Sequence, residues 1–303
     1  MPDVNHDVTF FSKLLQSVLP RPVKIVQASP VGGGDIHHSY KVTLEGGDCY
    51  FIKCNHRQYS DLLEQEHYAL GALRQADAIR LPRVEGMGEC EGFAYLVLEW
   101  LALEPTGDEA ALGRQLAQLH EHHNGRYGWP HSNFIGYSVQ HNRWHSRWAD
   151  FWRENRLLPQ LTMAQKQPAA ARFTSLKTAL IAASDELLKD HHPKPSLLHG
   201  DLWGGNKAYL ASGAPVIYDP ASYYGDPETD VAFTRFFGGF SNDFYTAYAK
   251  ARGELAPDSQ AQYARRQVLY NLYHQLNHFN LFGEGYLNGC LQAMRKVISN
   301  AAQ

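Results

Sequence analysis

Apolar and polar positions divide the chain into two textures. Phe11, Leu14, Leu15 and Val18 recur at helical spacing within residues 8–19, and Pro20 and Pro22 close that helix. Residues 23–29 and 40–44 alternate with the period of strands. Residues 50–53 follow the turn signal Glu45-Gly46-Gly47-Asp48, which predicts a hairpin. A helix is expected over 60–75, with Leu63, Glu66, Leu70 and Leu73 sharing one face, and 95–98 reads as a buried strand. After Leu101 the pattern turns helical. Thr106-x-x-Glu109 predicts a capping box ahead of Leu112, Leu116 and Leu119, and helical patterns recur at 148–158, 169–189, 244–252 and 259–281. Residues 196–219 interrupt them with a loop, a short strand at 208–210, a Ser212-Gly213 turn and a strand at 216–218. The expected architecture is α+β and bilobal. A small β-rich lobe spans 1–101, with a hinge at 99–105, and a larger, mainly helical lobe spans 102–303.

Composition narrows the class. With 303 residues and 44% of them apolar, the chain can build a substantial core without disulfides or a structural metal. Twenty-eight basic against 31 acidic residues give a formal charge of −3, which lacks the basic excess of a general nucleic-acid binder. The longest apolar stretch, 93–103, is broken by Glu99 and too short to span a bilayer, so no membrane partner is expected. Residues 1–7 lack the positive start of a secretory signal, which predicts a cytoplasmic protein. Cys49, Cys54, Cys90 and Cys290 have no paired spacing and are expected as reduced thiols. The pairs His141/His145 and His274/His278 lack the glutamate of a zinc-protease motif, so zinc is not expected.

Candidate chemistry concentrates at His199-Gly200-Asp201-Leu202-Trp203-Gly204-Gly205-Asn206. Asp201 and Asn206 keep the five-residue spacing of kinase catalytic loops, and Asp219 follows at a strand end. Phosphoryl transfer asks mainly for positioning and charge neutralisation. One carboxylate accepts the proton of an attacking hydroxyl, while an amide oxygen and a second carboxylate hold Mg²⁺ against phosphate. Upstream, Gly32, Gly33 and Gly34 join two expected strands, either as a phosphate-approaching turn or as a plain hairpin connection. His37 stands where a dinucleotide fingerprint needs its third glycine, and no Walker GK[ST] occurs. A lone strand lysine such as Lys53 usually sits at a solvated edge. Glu66 changes that, because a carboxylate inside an apolar stripe needs a cationic partner. The pair would then aim the lysine at ATP phosphates. The backbone of Glu99 to Leu101, linking the lobes, is placed to meet an adenine or is simply a strand end.

These residues resemble the fructosamine-3-kinase/ketosamine-3-kinase family, within the wider aminoglycoside phosphotransferase and choline kinase-like group. The likeness rests on GGGDI at 32–36, FIKCN at 51–55, HGDLWGGN at 199–206 and YDPASYYGDPETDVAFTRFFGGF at 218–240, and covers nearly the whole chain. It implies a protein-kinase-like fold and transfer of the ATP γ-phosphate to the C3 hydroxyl of ketosamines, the sugar adducts of small amines or protein lysines. By this resemblance Asp201 is the catalytic base, Asn206 and Asp219 bind magnesium, and Lys53, oriented by Glu66, holds ATP phosphates. Trp203 offers an indole face to the substrate or packs in the core. Asn133, Gln140 and Asn142 would meet sugar hydroxyls or are ordinary loop polarity, and Asp230 is expected to anchor the catalytic loop. Asp35 replaces the small residue or thiol usual beside the glycines, which implies weaker nucleotide binding. An aminoglycoside- or choline-like acceptor and a non-catalytic kinase scaffold are the alternatives.

Overall fold

The computed structural model describes residues 7–32, 36–253 and 257–302, so Gly33, Gly34 and Asp35 lie outside the described residues. Helix α1 (Val8–Val18) opens the chain and is N-capped by Asp7, which accepts a hydrogen bond from Phe10 N. Strands β1 (Ile25–Pro30), β2 (His38–Leu44) and β3 (Cys49–His56) lead into helix α2 (Ser60–Ala76), and β4 (Val84–Cys90) and β5 (Phe93–Glu99) follow. The five strands form one antiparallel sheet in the order β1-β2-β3-β5-β4. Strand alternation sorts its two faces. Tyr40, Val42, Ile52, Cys54, Tyr95 and Val97 pack on Phe10, Phe11, Leu14 and Leu15 of α1. Leu96 and Leu98 turn the other way, onto Leu63, Leu70 and Leu73 of α2. Strand β4, with Gly86 and Gly88 among its seven residues, carries no apolar alternation and gave no signal in the sequence.

Helix α3 (Glu109–Leu119) begins the helical region. The expected Thr106/Glu109 capping box does not form: Asp108 is the N-cap, accepting from Ala111 N at 2.7 Å. Glu109 is instead drawn toward Lys207, Tyr209 and the amide of Ser241, a stronger claim on its carboxylate than a distant threonine. A short hairpin, β6 (Asn133–Ile135) and β7 (Ser138–Gln140), precedes α4 (Trp148–Trp152), which runs through a π turn at 153–157 into α5 (Leu158–Ala164). Then come α6 (Ala170–Leu188), β8 (Ser196–Leu197), β9 (Lys207–Tyr209), β10 (Pro215–Ile217) and β11 (Tyr224–Gly225). Helices α7 (Pro227–Thr234), α8 (Asn242–Arg252), α9 (Pro257–Phe282) and α10 (Leu287–Ala301) complete the chain. Helix α7 is buried almost all round, so it has no amphipathic stripe and no sequence signal. A backbone bond joins the sheet region to the helical region, Ile217 N donating to Arg80 O, and Glu104 pairs in both directions with Tyr209. Among the described residues no helix is long and apolar enough to cross a membrane.

Candidate active site

On β3 the alternation that sends Ile52 and Cys54 into the α1 core points Phe51, Lys53 and Asn55 to the opposite face, toward α2. There Glu66 interrupts the leucine stripe, and the Lys53 ammonium lies 2.7 Å from its carboxylate and 2.6 Å from that of Asp219. Lys53 and Glu66 are buried, whereas Asp219 is about half exposed. Burial disfavours the Lys53 charge, but Asp219 and Glu66 outweigh it and hold its pKa above the ordinary lysine value. Burial pushes the Glu66 carboxyl up, with Lys53 opposing.

The opposite wall is built by the 199–206 loop, which is irregular up to a 3-10 turn at Gly204–Asn206, so most of its backbone groups need partners elsewhere. Asp230, on α7, accepts from the amides of His199 and Gly200 at 2.8 Å each and meets His120 at 3.2 Å. The expected anchoring role is what this geometry gives it. Asp201 N donates to His199 Nδ1 at 3.2 Å, so His199 Nε2 carries the proton and donates to the Tyr218 carbonyl at 2.9 Å. That assignment needs a neutral ring, and burial lowers the His199 pKa. Gly200 has φ +83°, and a Cβ there would lie 2.1 Å from the Ala221 carbonyl, so only glycine lets the two segments meet. Further backbone bonds, Tyr218 N to Asn206 O and Ala221 N to His199 O, zip the 199–206 loop to the segment carrying Asp219. Asp219 itself sits at φ +58°, a left-handed conformation that aspartate tolerates better than most residues.

Asn206 spends its Nδ2 on Asp201, 2.8 Å from the carbonyl and 3.1 Å from the carboxylate, which leaves Oδ1 for a ligand. The Asp201 carboxyl is held well above the usual range by burial and by the neighbouring charge of Asp219, with the Asn206 hydrogen bond acting the other way. Asp201, Asp219 and Glu66 together set three carboxylates against the single ammonium of Lys53. That negative excess, with the amide oxygen of Asn206 beside it, is a hard-oxygen donor set suited to a divalent cation.

These groups face one cavity of about 780 Å³, which Gly32, Lys53, Glu66, Glu99, Leu101, Asn133, Asp201, Trp203, Asn206 and Asp219 all line. The Glu99 side chain is already engaged by Arg80 (2.6 Å) and Arg83 N (3.1 Å), so only its backbone can meet a ligand. Trp203 is 37% exposed at the cavity's edge, edge-on to Phe237 and over Gly205. Asn133, Gln140 and Asn142, expected to meet sugar hydroxyls or to be loop polarity, spend their amides on one another and on the chain. Asn133 Oδ1 accepts from both Gln140 and Asn142 at 2.8 Å, and its Nδ2 donates to the Ser222 carbonyl at 2.8 Å. Gln140 also donates to Ala221 O, and Asn142 accepts from Arg156. All three amides are at most 2% exposed. Asn133 and Gln140 brace the segment after Asp219, with Asn142 bonded to Asn133 behind them. Tyr137, at the tip of that hairpin, also lines the cavity and had no signal in the sequence.

Residues 8–300 match the family model described as Fructosamine kinase. A Synechocystis protein named "Probable ketoamine kinase" is 40% identical over 281 residues, 92% of each chain. The chloroplastic protein-ribulosamine 3-kinase of Arabidopsis thaliana is 36% identical over 275 residues, 89% of this chain and 82% of that one. A solved structure from Haemophilus somnus, described as a candidate fructosamine-3-kinase, superposes with a TM-score of 0.84 at 25% identity, covering 95% of this chain and 97% of the other. A choline kinase from Streptococcus pneumoniae shares the fold, with a TM-score of 0.62 at 16% identity over 96% and 98% of the two chains.

Proposed function

The chain belongs to the fructosamine kinase family, and from that premise we propose that it is an ATP-dependent kinase acting on the C3 hydroxyl of ketosamines. The observation that carries the reading is the convergence of Lys53, Asp201, Asn206 and Asp219 on one cavity between the sheet and the helices. Lys53, steered by Glu66 at 2.7 Å, binds the ATP phosphates, and Gly32 with the backbone of Glu99 to Leu101 frames the nucleotide. Asn206 Oδ1 and the Asp219 carboxylate hold Mg²⁺, which neutralises phosphate charge when bound. Asp201 accepts the proton of the sugar hydroxyl as its oxygen forms the new bond to the γ-phosphorus, and the bond from phosphorus to the ADP oxygen breaks. A carboxyl whose pKa is raised by burial is a better proton acceptor than an ordinary aspartate. Trp203 presents its ring to the substrate at the cavity mouth. Loss of a C1 proton gives the 1,2-enaminol, which expels the C3 phosphate, and water then hydrolyses the resulting imine to free the amine, so the outcome is deglycation. The substrates are small ketosamines or glycated protein lysines, met in the cytoplasm.

ADP release measured side by side with ribulose-lysine, fructose-lysine and kanamycin tests this reading. Turnover with the two ketosamines and none with kanamycin is expected. Turnover confined to kanamycin would move the acceptor to another class, and none with any acceptor would reject phosphotransfer.

A further inference from the structure

The hairpin β6–β7 touches both walls of the cavity. At its base, Asn133 and Gln140 hold the carbonyls of Ser222 and Ala221, two and three residues past Asp219. At its tip, the Tyr137 hydroxyl donates to the Ile36 carbonyl at 2.9 Å, across 101 residues of sequence. The same carbonyl accepts from Asn55 Nδ2 at 3.0 Å, and Asn55 lies two residues after Lys53 on β3. Ile36 O is thus filled by one donor from each part of the molecule. Asn55 is fully buried, and its second amide proton meets His37 Nδ1 at 3.1 Å. Burial and the nearby Lys53 charge lower the His37 pKa to about 3, so that ring stays neutral and able to accept. The tip is rigid as well. Gly136 has φ +62°, and a Cβ there would meet Leu281 at 2.8 Å.

We propose that Tyr137 is a positioning residue for the nucleotide, and that the hairpin fixes the distance between the Lys53 strand and the Asp219 segment through its Ile36 bond above and its Ser222 and Ala221 bonds below. Without the hydroxyl, the β2–β3 end of the sheet loses its direct tie to the helical part at that point. The Lys53–Asp219 pairing then relies on its own salt bridge and on ties farther off, such as Ile217 N to Arg80 O, and the two phosphate-binding groups are less well preorganised. The inference rests on the nucleotide reading of the cavity, not on the identity of the acceptor.

Tyr137→Phe removes the hydroxyl and keeps the ring. The dissociation constant for Mg·ADP, measured by calorimetry, should rise about 3- to 10-fold, as befits one neutral hydrogen bond. KM for ATP should rise in proportion, while KM for the ketosamine and the unfolding midpoint stay as in the wild type. Tyr137→Leu, which also removes the ring edge, should weaken Mg·ADP at least as much. Unchanged Mg·ADP affinity in Tyr137→Phe would overturn the proposal, and so would a lowered midpoint with unchanged affinity. Because Mg·ADP binding needs no acceptor, a wild type that fails on ketosamines yet shows this affinity loss would sink the substrate assignment and leave the positioning role standing.

Discussion

Among the described residues, two ionic centres differ in charge balance. At the cavity, Glu66, Asp219 and Asp201 face one ammonium, that of Lys53. Around the start of α7, by contrast, two acids meet two bases. Arg266 grips Glu228 through two bonds of 2.7 Å, and His191 lies 2.7 Å from Asp226, which also takes the Tyr270 hydroxyl at 2.6 Å. The ligand-capable atoms of His191, Asp226 and Glu228 fall within 4.8 Å of one another, as in many metal sites. Their lone pairs are already spent on Arg266, Tyr270 and each other, so the centre is closed. The cavity centre is open: its surplus carboxylates point at space a cation-bearing nucleotide can fill. The lesson is that burial and proximity of charges do not separate a binding site from a structural clasp, whereas uncompensated charge beside a cavity does.

Breaking the open centre should destroy function, and at Asp201 it should spare the fold. Asp201→Asn has the largest expected effect, a fall in kcat of about 10²- to 10⁴-fold, the range for losing a general base. Nucleotide binding should survive, and near-normal single-turnover rates would remove Asp201 from the proton transfer. Lys53→Met comes next. It should raise KM for ATP by about tenfold or more, in line with losing a charge-assisted contact, and steady-state kinetics with unchanged KM would place the phosphate-binding lysine elsewhere.

Breaking the closed centre should do the reverse. Arg266→Met leaves Glu228 buried without its partner, a loss on the order of 3–5 kcal/mol for a broken buried pair. Chemical denaturation should report it, while KM for ATP in the folded fraction stays within about twofold, a span too small to register as a lost hydrogen bond. An intact midpoint would show that the centre is not a clasp. His191→Gln is the mildest. Asp226, and Glu228 more weakly, raise the His191 pKa against the opposing effect of burial. A raised folded-state pKa gives stability that is complete below the unfolded value of about 6.5 and fades as pH climbs through the folded value. The wild-type unfolding midpoint should therefore decline slightly as pH rises above about 6.5, and the variant should lose that slope. An identical slope in both would assign the pH dependence to another group.

The open centre was more legible in the sequence than the closed one. Asp201, Asn206 and Asp219 stand at fixed spacings that follow from chemistry, and Glu66 betrays itself by interrupting a leucine stripe. Most helices and strands were visible for the same reason, since each buries one periodic face. Three kinds of feature were not. Helix α7 has no exposed face and β4 no apolar alternation, so neither carries a period. Helix α10 does have a buried stripe, from Leu287 through Leu291 and Met294 to Val297, and could have been read. Asn133, Gln140 and Asn142 look like loop polarity because their partners, Ser222, Ala221 and Arg156, are distant in sequence. Tyr137 is invisible for that reason too, its acceptor lying 101 residues away. Glu109 shows the converse failure, a local motif overridden by Lys207 and Tyr209.

The most direct test of the open centre is the initial rate of ADP release with a ribulosamine acceptor, measured at fixed ATP across free Mg²⁺ from an EDTA-treated start. The expected result is no measurable rate without the cation, saturation as Mg²⁺ rises, and a much higher Mg²⁺ requirement in Asp219→Asn. An undiminished rate in EDTA, or an Asp219→Asn profile that overlays the wild type, would contradict the assignment of that surplus charge to a metal-bound nucleotide.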